Sequence, residues 1–239
     1  MIKNLLKAVR YLINIAAQRH QMIENIFPTP VYKIQYSGDL AELQQTAMPV
    51  LEKLFESVQL DNENYIKNSV TTDYSKLDPY HPYHPNSRNL VQQHGLTSYH
   101  TVRNLHTVLE LQTYTEFLKK HLDIFWDYLG YKGRPKIQDT WANRYTTNSF
   151  IALHDHAVAP LAVAFYLKKP KDASNIIFVD QNISTLQKQP YAETQTFERE
   201  LVVEEGDLVI FPGWVKHRTA PSASTQERIA ICSNIKMEN

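Results

Sequence analysis

Apolar and polar positions follow two rhythms along this chain, and the rhythm changes near residue 136. In the first half the spacing is helical. Residues 38–60 place Leu40, Leu43, Val50, Leu51, Leu54 and Phe55 on one helical face. Pro49 inside that run predicts a kink or the opening of a second helix. Residues 101–131 hold the longest helical pattern, with a break expected near "LQTYT" and Gly130 as C-terminal cap. Ahead of both, "IFPTPVYKIQY" (26–36) reads as a strand with prolines at its entrance. Residues 61–100 are polar and rich in Asn, Tyr, His and Pro. Their "DPYHPYHPNSR" (78–88) suits neither a regular helix nor a central strand and predicts a long surface loop, His81 and His84 included.

After "KGRPK" the apolar residues come in short strand-like runs: 137–145, 148–156, 160–170, 174–181, 194–203, 206–217 and 227–237. Runs of that number and spacing predict a β-sandwich or jelly roll. Helices followed by an antiparallel β unit make the expected class α+β, with the N-terminal helices packed on one sheet. Residues 1–21 read as an N-terminal extension, 22–136 as a helical and loop part packing on the core, and 137–239 as the core, in one integrated domain.

Composition narrows the function classes. The 239 residues are 43% hydrophobic and 21% charged, and 25 basic residues balance 25 acidic ones. No overall basic field favours nucleic acid. The single cysteine, Cys232, excludes an intrachain disulfide framework and a cysteine-rich zinc site, and suits the cytoplasm. No apolar run is long enough for a transmembrane helix. Neutral net charge and exposed edge strands permit a homodimer. The first 21 residues carry Lys3, Lys7, Arg10 and Arg19, no acid, and apolar residues at helical spacing. They read as a basic amphipathic helix, as an extension ahead of a start at Met22, or as an ordinary packed helix. Charges interrupt the apolar part too often for a secretory signal.

The chemistry starts at "IALHDHAVAPLAVAFYL" (151–167). Residues two apart in a strand face the same way, so His154 and His156 should share a face while Asp155 takes the other. Paired neutral imidazoles suit Fe, Zn, Cu or Ni. A third ligand is available in His217, just past the "LVIF" strand, since the 61 residues after His156 can fold it back. Eleven residues later stands Arg228. An arginine in a strand is costly to bury unless it meets an anion, and its planar fork suits a carboxylate.

The H-x-H strand, the distal histidine and the following arginine, in "FPGWVKHRTAPSASTQERIAI", resemble the iron(II)/2-oxoglutarate dioxygenases. More narrowly, "IFPTPVY", the W-x-N-x-Y strand, H-x-H, "AVAFYLKKP" and "EGDLVIFP…H…ERI" resemble a group of 2-oxoglutarate–Fe(II) oxygenases common in phages and marine bacteria. The resemblance runs from about residue 22 to the end and is most specific in its distal part. It implies a cupin-like double-stranded β-helix holding Fe(II), with His154 and His217 as ligands and Arg228 anchoring the 2-oxoglutarate carboxylate. Tyr145 is a candidate second contact to that cosubstrate. The implied reaction is hydroxylation of a small-molecule or peptidyl substrate, with release of succinate and CO2.

The chain departs from the common two-histidine, one-carboxylate site at His156, where the superfamily has Asp or Glu. Either the site has three histidines, or a bulge turns Asp155 inward as ligand. Strand alternation favours His156. Two other classes remain at this point: a cupin-like three-histidine enzyme without 2-oxoglutarate, and a non-catalytic β-sandwich module. Phe165, Tyr166, Phe178, Phe211 and Trp214 are candidate pocket walls, most of them better read as core. Lys168, Lys169 and Lys171 read as a solvated turn.

Overall fold

In the computed structural model the two rhythms become helices stacked on a sheet and a second sheet behind it. The structure describes residues 28–69, 91–92, 95–180 and 197–238, with 61–69 and 91–92 described by their backbone. The segment 1–21, His81 and His84 therefore lie outside the described residues. Val31–Asn239 group into one compact unit. Its elements begin with β1 (Tyr32–Gln35), α1 (Leu40–Ser69), β2 (Val91–Gln92) and β3 (Leu96–Thr97). Two 3-10 turns, Leu105–Thr107 and Leu109–Leu111, lead into α2 (Gln112–Tyr128). Then come β4 (Arg134–Tyr145), β5 (Phe150–Ile151), β6 (Leu161–Lys168) and β7 (Ile176–Val179). β8 (Glu198–Leu201), β9 (Asp207–Pro212), β10 (His217–Thr219) and β11 (Arg228–Glu238) complete the chain.

The large sheet runs β1-β9-β6-β11-β4-β3, and the smaller ones run β10-β7-β8 and β2-β5. Among the described residues every pairing between these strands is antiparallel, while an isolated bridge from Asn104 to Thr140 is parallel. An isolated antiparallel bridge, His154 to His217, ties the chain after β5 to β10. Their backbones exchange hydrogen bonds of 3.0 and 2.9 Å. The result is the jelly-roll core expected for a double-stranded β-helix.

Side-chain alternation assigns the two faces of the large sheet. Leu161, Val163, Phe165 and Leu167 of β6, with Ile229, Ile231 and Ile235 of β11, pack under the helices. Ala162, Ala164 and Tyr166 face the space between the sheets with Val209 and Phe211. A strand covered on both faces is apolar throughout, which is why β6 and β9 read as unbroken hydrophobic runs. α2 buries Tyr114, Phe117, Leu118, His121, Leu122, Phe125 and Trp126. It has no side-chain N-cap, a loss of about 0.5–2 kcal/mol. Burying each large apolar side chain contributes roughly 1.5–3 kcal/mol, so packing decides. Its end follows the expectation for Gly130, which sits at φ 67°. Gly130 N–H reaches Asp127 O and Tyr131 N–H reaches Trp126 O, the two bonds of a Schellman motif.

Several local expectations need correction. α1 runs through Pro49 and continues to Ser69, into a stretch expected to be loop. Asp39 caps it, its carboxylate accepting Glu42 N–H at 3.0 Å. Pro49 lies on the exposed side, where water can reach the carbonyl that loses its donor, while Ala47 and Leu51 seat the opposite side. Residues 101–111 are turns, because β-branched Val108 is extended (φ −79°, ψ 131°) between the two 3-10 segments. Strand pairing after residue 148 stops at Ile151 instead of reaching His156. There the Ile151 N–H is taken by the Thr219 hydroxyl (3.0 Å), a side chain in place of a backbone carbonyl.

Candidate metal centre

His154, His156 and His217 come together although they leave the chain in different settings. His217 opens β10, His154 sits in the bridge opposite it, and His156 lies in the loop beyond. That loop is held against the turn after β9: His156 N–H donates to Gly213 O (2.8 Å) and Gly213 N–H to Pro160 O (3.1 Å). Gly213 is required there, because a Cβ would stand 2.0 Å from Ala159 O. One ligand atom from each histidine lies within 4.8 Å of the others. Among the described residues this is the one such cluster of His, Cys, Asp or Glu.

The hydrogen bonds set the tautomers. Each Nδ1 faces an oxygen: His154 that of Ala152 (2.8 Å), His217 that of Val215 (3.0 Å) and His156 that of the Asn234 side chain (2.6 Å). Carbonyl oxygens only accept, so each Nδ1 carries the proton and each Nε2 keeps its lone pair. Two of those nitrogens, on His156 and His217, stand 3.4 Å apart. Two nitrogens bound 2.0–2.1 Å from one ion would stand about 3.0–3.4 Å apart. Burial, then repulsion from His154, depresses His156 to about 4. Burial and both neighbouring imidazoles bring His217 down to about 2. His154 is lowered too, chiefly by burial. Three neutral imidazoles with converging lone pairs fit a divalent metal and repel one another without one.

Asp155 is outside the cluster. Its carboxylate accepts the Ala157 N–H at 2.9 Å, and Ala157 takes φ 47° to allow it. The structure thus brings His154 and His156, and not Asp155, beside His217, although the strand ends before them.

Arg228 marks the other end of the same cavity. The inner face of β11 reads Arg228, Ala230, Cys232, Asn234, so two small side chains lie between the guanidinium and the residue holding His156. Tyr145 is its cross-strand partner, and its ring lies 3.7 Å from the guanidinium carbon. Tyr166 is 5.8 Å away. Burial pushes the Tyr145 phenol up to about 12, so it stays a neutral donor. Arg228 is 1% exposed; its Nη1 donates to the Ser174 carbonyl and, at 3.2 Å, to the Ser174 hydroxyl. No carboxylate pairs with it among the described residues. Its Nε and the Asn143 Oδ1, both on this cavity, are buried without partners. A buried cation and orphaned polar atoms fit an acidic ligand such as 2-oxoglutarate.

Of the candidate wall residues, Tyr166 and Phe211 line the cavity, and Phe178 packs edge-on against Phe211 at 5.1 Å. Phe165 instead faces the helices, and Trp214 is half-exposed. Lys169 is not solvated: its ammonium is buried against the carbonyls of Ala173 (2.7 Å) and Pro170 (3.3 Å). It thereby closes the turn that presents Ser174 to Arg228. Sequence reasoning missed Lys169, Ser174, Asn143 and Asn234. Asn234 was within reach, since it shares strand parity with Arg228.

Comparison with known proteins agrees with this geometry. Residues 139–234 match the family described as "Putative 2OG-Fe(II) oxygenase". No curated protein matches the chain by sequence. AviO1 from Streptomyces viridochromogenes Tue57 is 12% identical, over 87% of this chain and 89% of that one, with a TM-score of 0.53. HygX from Streptomyces hygroscopicus, solved with iron bound, is 10% identical over 87% and 83%, with a TM-score of 0.50. A 2OG-Fe(II) oxygenase-family oxidoreductase from Burkholderia pseudomallei is 17% identical with a TM-score of 0.43, and the chain spans 57% of its length. The matched stretch, residues 139–234, is the β core that holds the three histidines and Arg228, and it is this part of the chain that is similar to the 2OG-Fe(II) oxygenase family.

Proposed function

We propose that this protein is an Fe(II)/2-oxoglutarate-dependent oxygenase whose metal is held by His154, His156 and His217. One observation carries the ligand set: a ring nitrogen of each histidine lies within 4.8 Å of the others, while each Nδ1 faces an oxygen and leaves Nε2 free for a metal. Arg228 binds the far carboxylate of 2-oxoglutarate through its planar fork, from between Tyr145 and Tyr166. The Tyr145 hydroxyl is the second contact. When bound, iron with 2-oxoglutarate supplies dioxygen-driven oxidation of a substrate C–H bond, with release of succinate and CO2.

The chain's own residues orient and shield. Phe211 and Ile176 exclude water from the 2-oxoglutarate side. Across the histidines, Tyr99, Trp141, Asp155 and Asn234 line a second cleft, which is the substrate side. Tyr99 meets Trp141 edge-on at 4.9 Å, an aromatic wall beside His156. The substrate is a small molecule or a peptidyl side chain. No helix among the described residues is long and apolar enough to cross a membrane. A cytoplasmic setting is part of this proposal and rests on the single free cysteine. A homodimer would form through the edge strands β1 and β3, and light scattering reads it.

The test is anaerobic. Fe(II) followed by 2-oxoglutarate should give the visible metal-to-ligand charge-transfer band of the chelate. His154→Ala, His156→Ala and His217→Ala should lose it, and Asp155→Ala should keep it. A band lost with Asp155→Ala and kept with His156→Ala would overturn the ligand set. Stoichiometric metal without any band would favour the cupin-like alternative.

A further inference from the structure

The three-histidine reading leaves a charge problem that β4 and β11 address. His154 and His217 rest their Nδ1–H on a main-chain carbonyl two residues back. His156, which occupies the carboxylate position of the superfamily, does not. Its Nδ1–H meets the side chain of Asn234, 78 residues away, at 2.6 Å. Behind that amide stands a carboxylate: Asn234 Nδ2 donates to Asp139 Oδ2 at 3.4 Å. We propose that Asp139 and Asn234 act as one positioning pair, lending His156 part of the negative charge that a carboxylate ligand would bring to the metal. This rests on the three-histidine reading above.

The pair is built into the backbone. Asn234 and Asp139 are cross-strand partners, and the register slips immediately afterwards, with Ile235 opposite Ile137. Gln138 is thus an extra residue, a bulge that re-aims the two side chains beside it. Gln138 also donates to Asp139 Oδ2, at 3.2 Å. The carboxylate fixes which way the amide points. Asp139 only accepts, so the Asn234 NH2 must face it and Oδ1 must face the imidazole. That orientation keeps the His156 proton on Nδ1 and its lone pair on Nε2. Withdrawal of the amide N–H toward Asp139 also enriches Oδ1, and the chain of hydrogen bonds passes that charge to the imidazole. Neither neighbouring histidine has such a partner, so His156 becomes the strongest donor of the three.

The experiment measures Zn(II) affinity by chelator competition and the energy of the Fe(II)–2-oxoglutarate band in the full-length protein. Asn234→Leu should weaken Zn(II) by roughly 10–100-fold. Asp139→Asn should weaken it less and move the band to shorter wavelength, because a poorer donor set makes the metal harder to oxidise. The double variant Asp139→Asn/Asn234→Asp keeps the pair and its volume but puts the carboxylate directly on His156. It should bind Zn(II) at least as tightly as the wild type and move the band to longer wavelength. A purely structural role would give no band shift in Asp139→Asn and no rescue in the exchanged pair; either result overturns the proposal. If Asn234→Leu does not fold, the exchanged pair and Asp139→Asn carry the decision. His156→Ala separates the layers: wild-type Zn(II) affinity there would refute the three-histidine site itself. Lost affinity there, with Asp139 and Asn234 silent, refutes this inference alone.

Discussion

Replacing Arg228 with methionine should separate stability from cosubstrate binding. Arg228 is buried, stacked 3.7 Å from the Tyr145 ring and bonded to Ser174, yet no carboxylate among the described residues answers it. Its removal from the ligand-free protein has opposing terms. Losing the desolvated cation–π contact costs about 2 kcal/mol, and leaving the Ser174 carbonyl without its donor costs about 1–3 kcal/mol. Against that, an uncompensated buried charge carries a penalty of several kcal/mol. The terms nearly cancel, so the ligand-free variant should unfold within about 2 kcal/mol of the wild type.

Binding has no such cancellation. Two charge-assisted hydrogen bonds to a carboxylate contribute about 1.5–3 kcal/mol each. Their loss should raise the 2-oxoglutarate Kd by roughly two to four orders of magnitude, at about 1.4 kcal/mol per decade. Chemical unfolding of the Zn(II)-loaded protein reads both quantities, since Zn(II) holds the site without turnover. At a 2-oxoglutarate concentration of 100 times the wild-type Kd, the wild type should gain about 2.7 kcal/mol and the variant about 0.4 kcal/mol or less. Arg228→Lys should fall between, keeping charge and losing the fork. A methionine variant that is strongly destabilised without ligand yet keeps the 2-oxoglutarate gain would refute the reasoning. Arg228 would then be a structural residue.

Two further outcomes follow from the same geometry. Gly213→Ala places a methyl 2.0 Å from the Ala159 carbonyl. It should cost about 1–3 kcal/mol, and weaken metal binding by displacing the loop that His156 N–H ties to Gly213; unchanged Zn(II) affinity by chelator competition would contradict this. In the metal-free protein, His154, His156 and His217 all titrate below the ordinary 6.5. Above that pH both folded and unfolded states hold neutral imidazoles and stability is level. Below it the unfolded chain takes up protons the folded site refuses, so stability should fall by up to about 1.4 kcal/mol per pH unit per histidine. For His156 the window closes near pH 4. Urea unfolding between pH 7.5 and pH 5 checks it. The slope should shrink in His156→Gln, and an equal slope in both proteins would count against the buried neutral cluster.

How far the site was legible in the sequence depends on what each residue needed. Arg228 could be read because a cation inside an apolar strand has few tolerable explanations, and its position follows from parity within β11. His154 and His156 could be read for a reason that turned out incomplete. The strand stops at Ile151, but the His154–His217 bridge adds one rung, and the His156 N–H bond to Gly213 carries the chain along the β9 turn. Alternation therefore survives past the end of regular pairing, and Asp155 still turns outward. Lys169 failed the same kind of reasoning, because three lysines near a strand end look solvated until the turn's own carbonyls fold around one of them. Pro49 opens no second helix, because its effect depends on which side of α1 meets water, and that is decided by packing. Parity with Arg228 could place Asn234 on the inner face, but its pairing with Asp139 was not legible. Its meaning comes from a register slip between β4 and β11 that no local pattern announces. Local rhythm thus locates the groups that would touch metal and cosubstrate, whereas the groups that aim them are fixed by how strands pair.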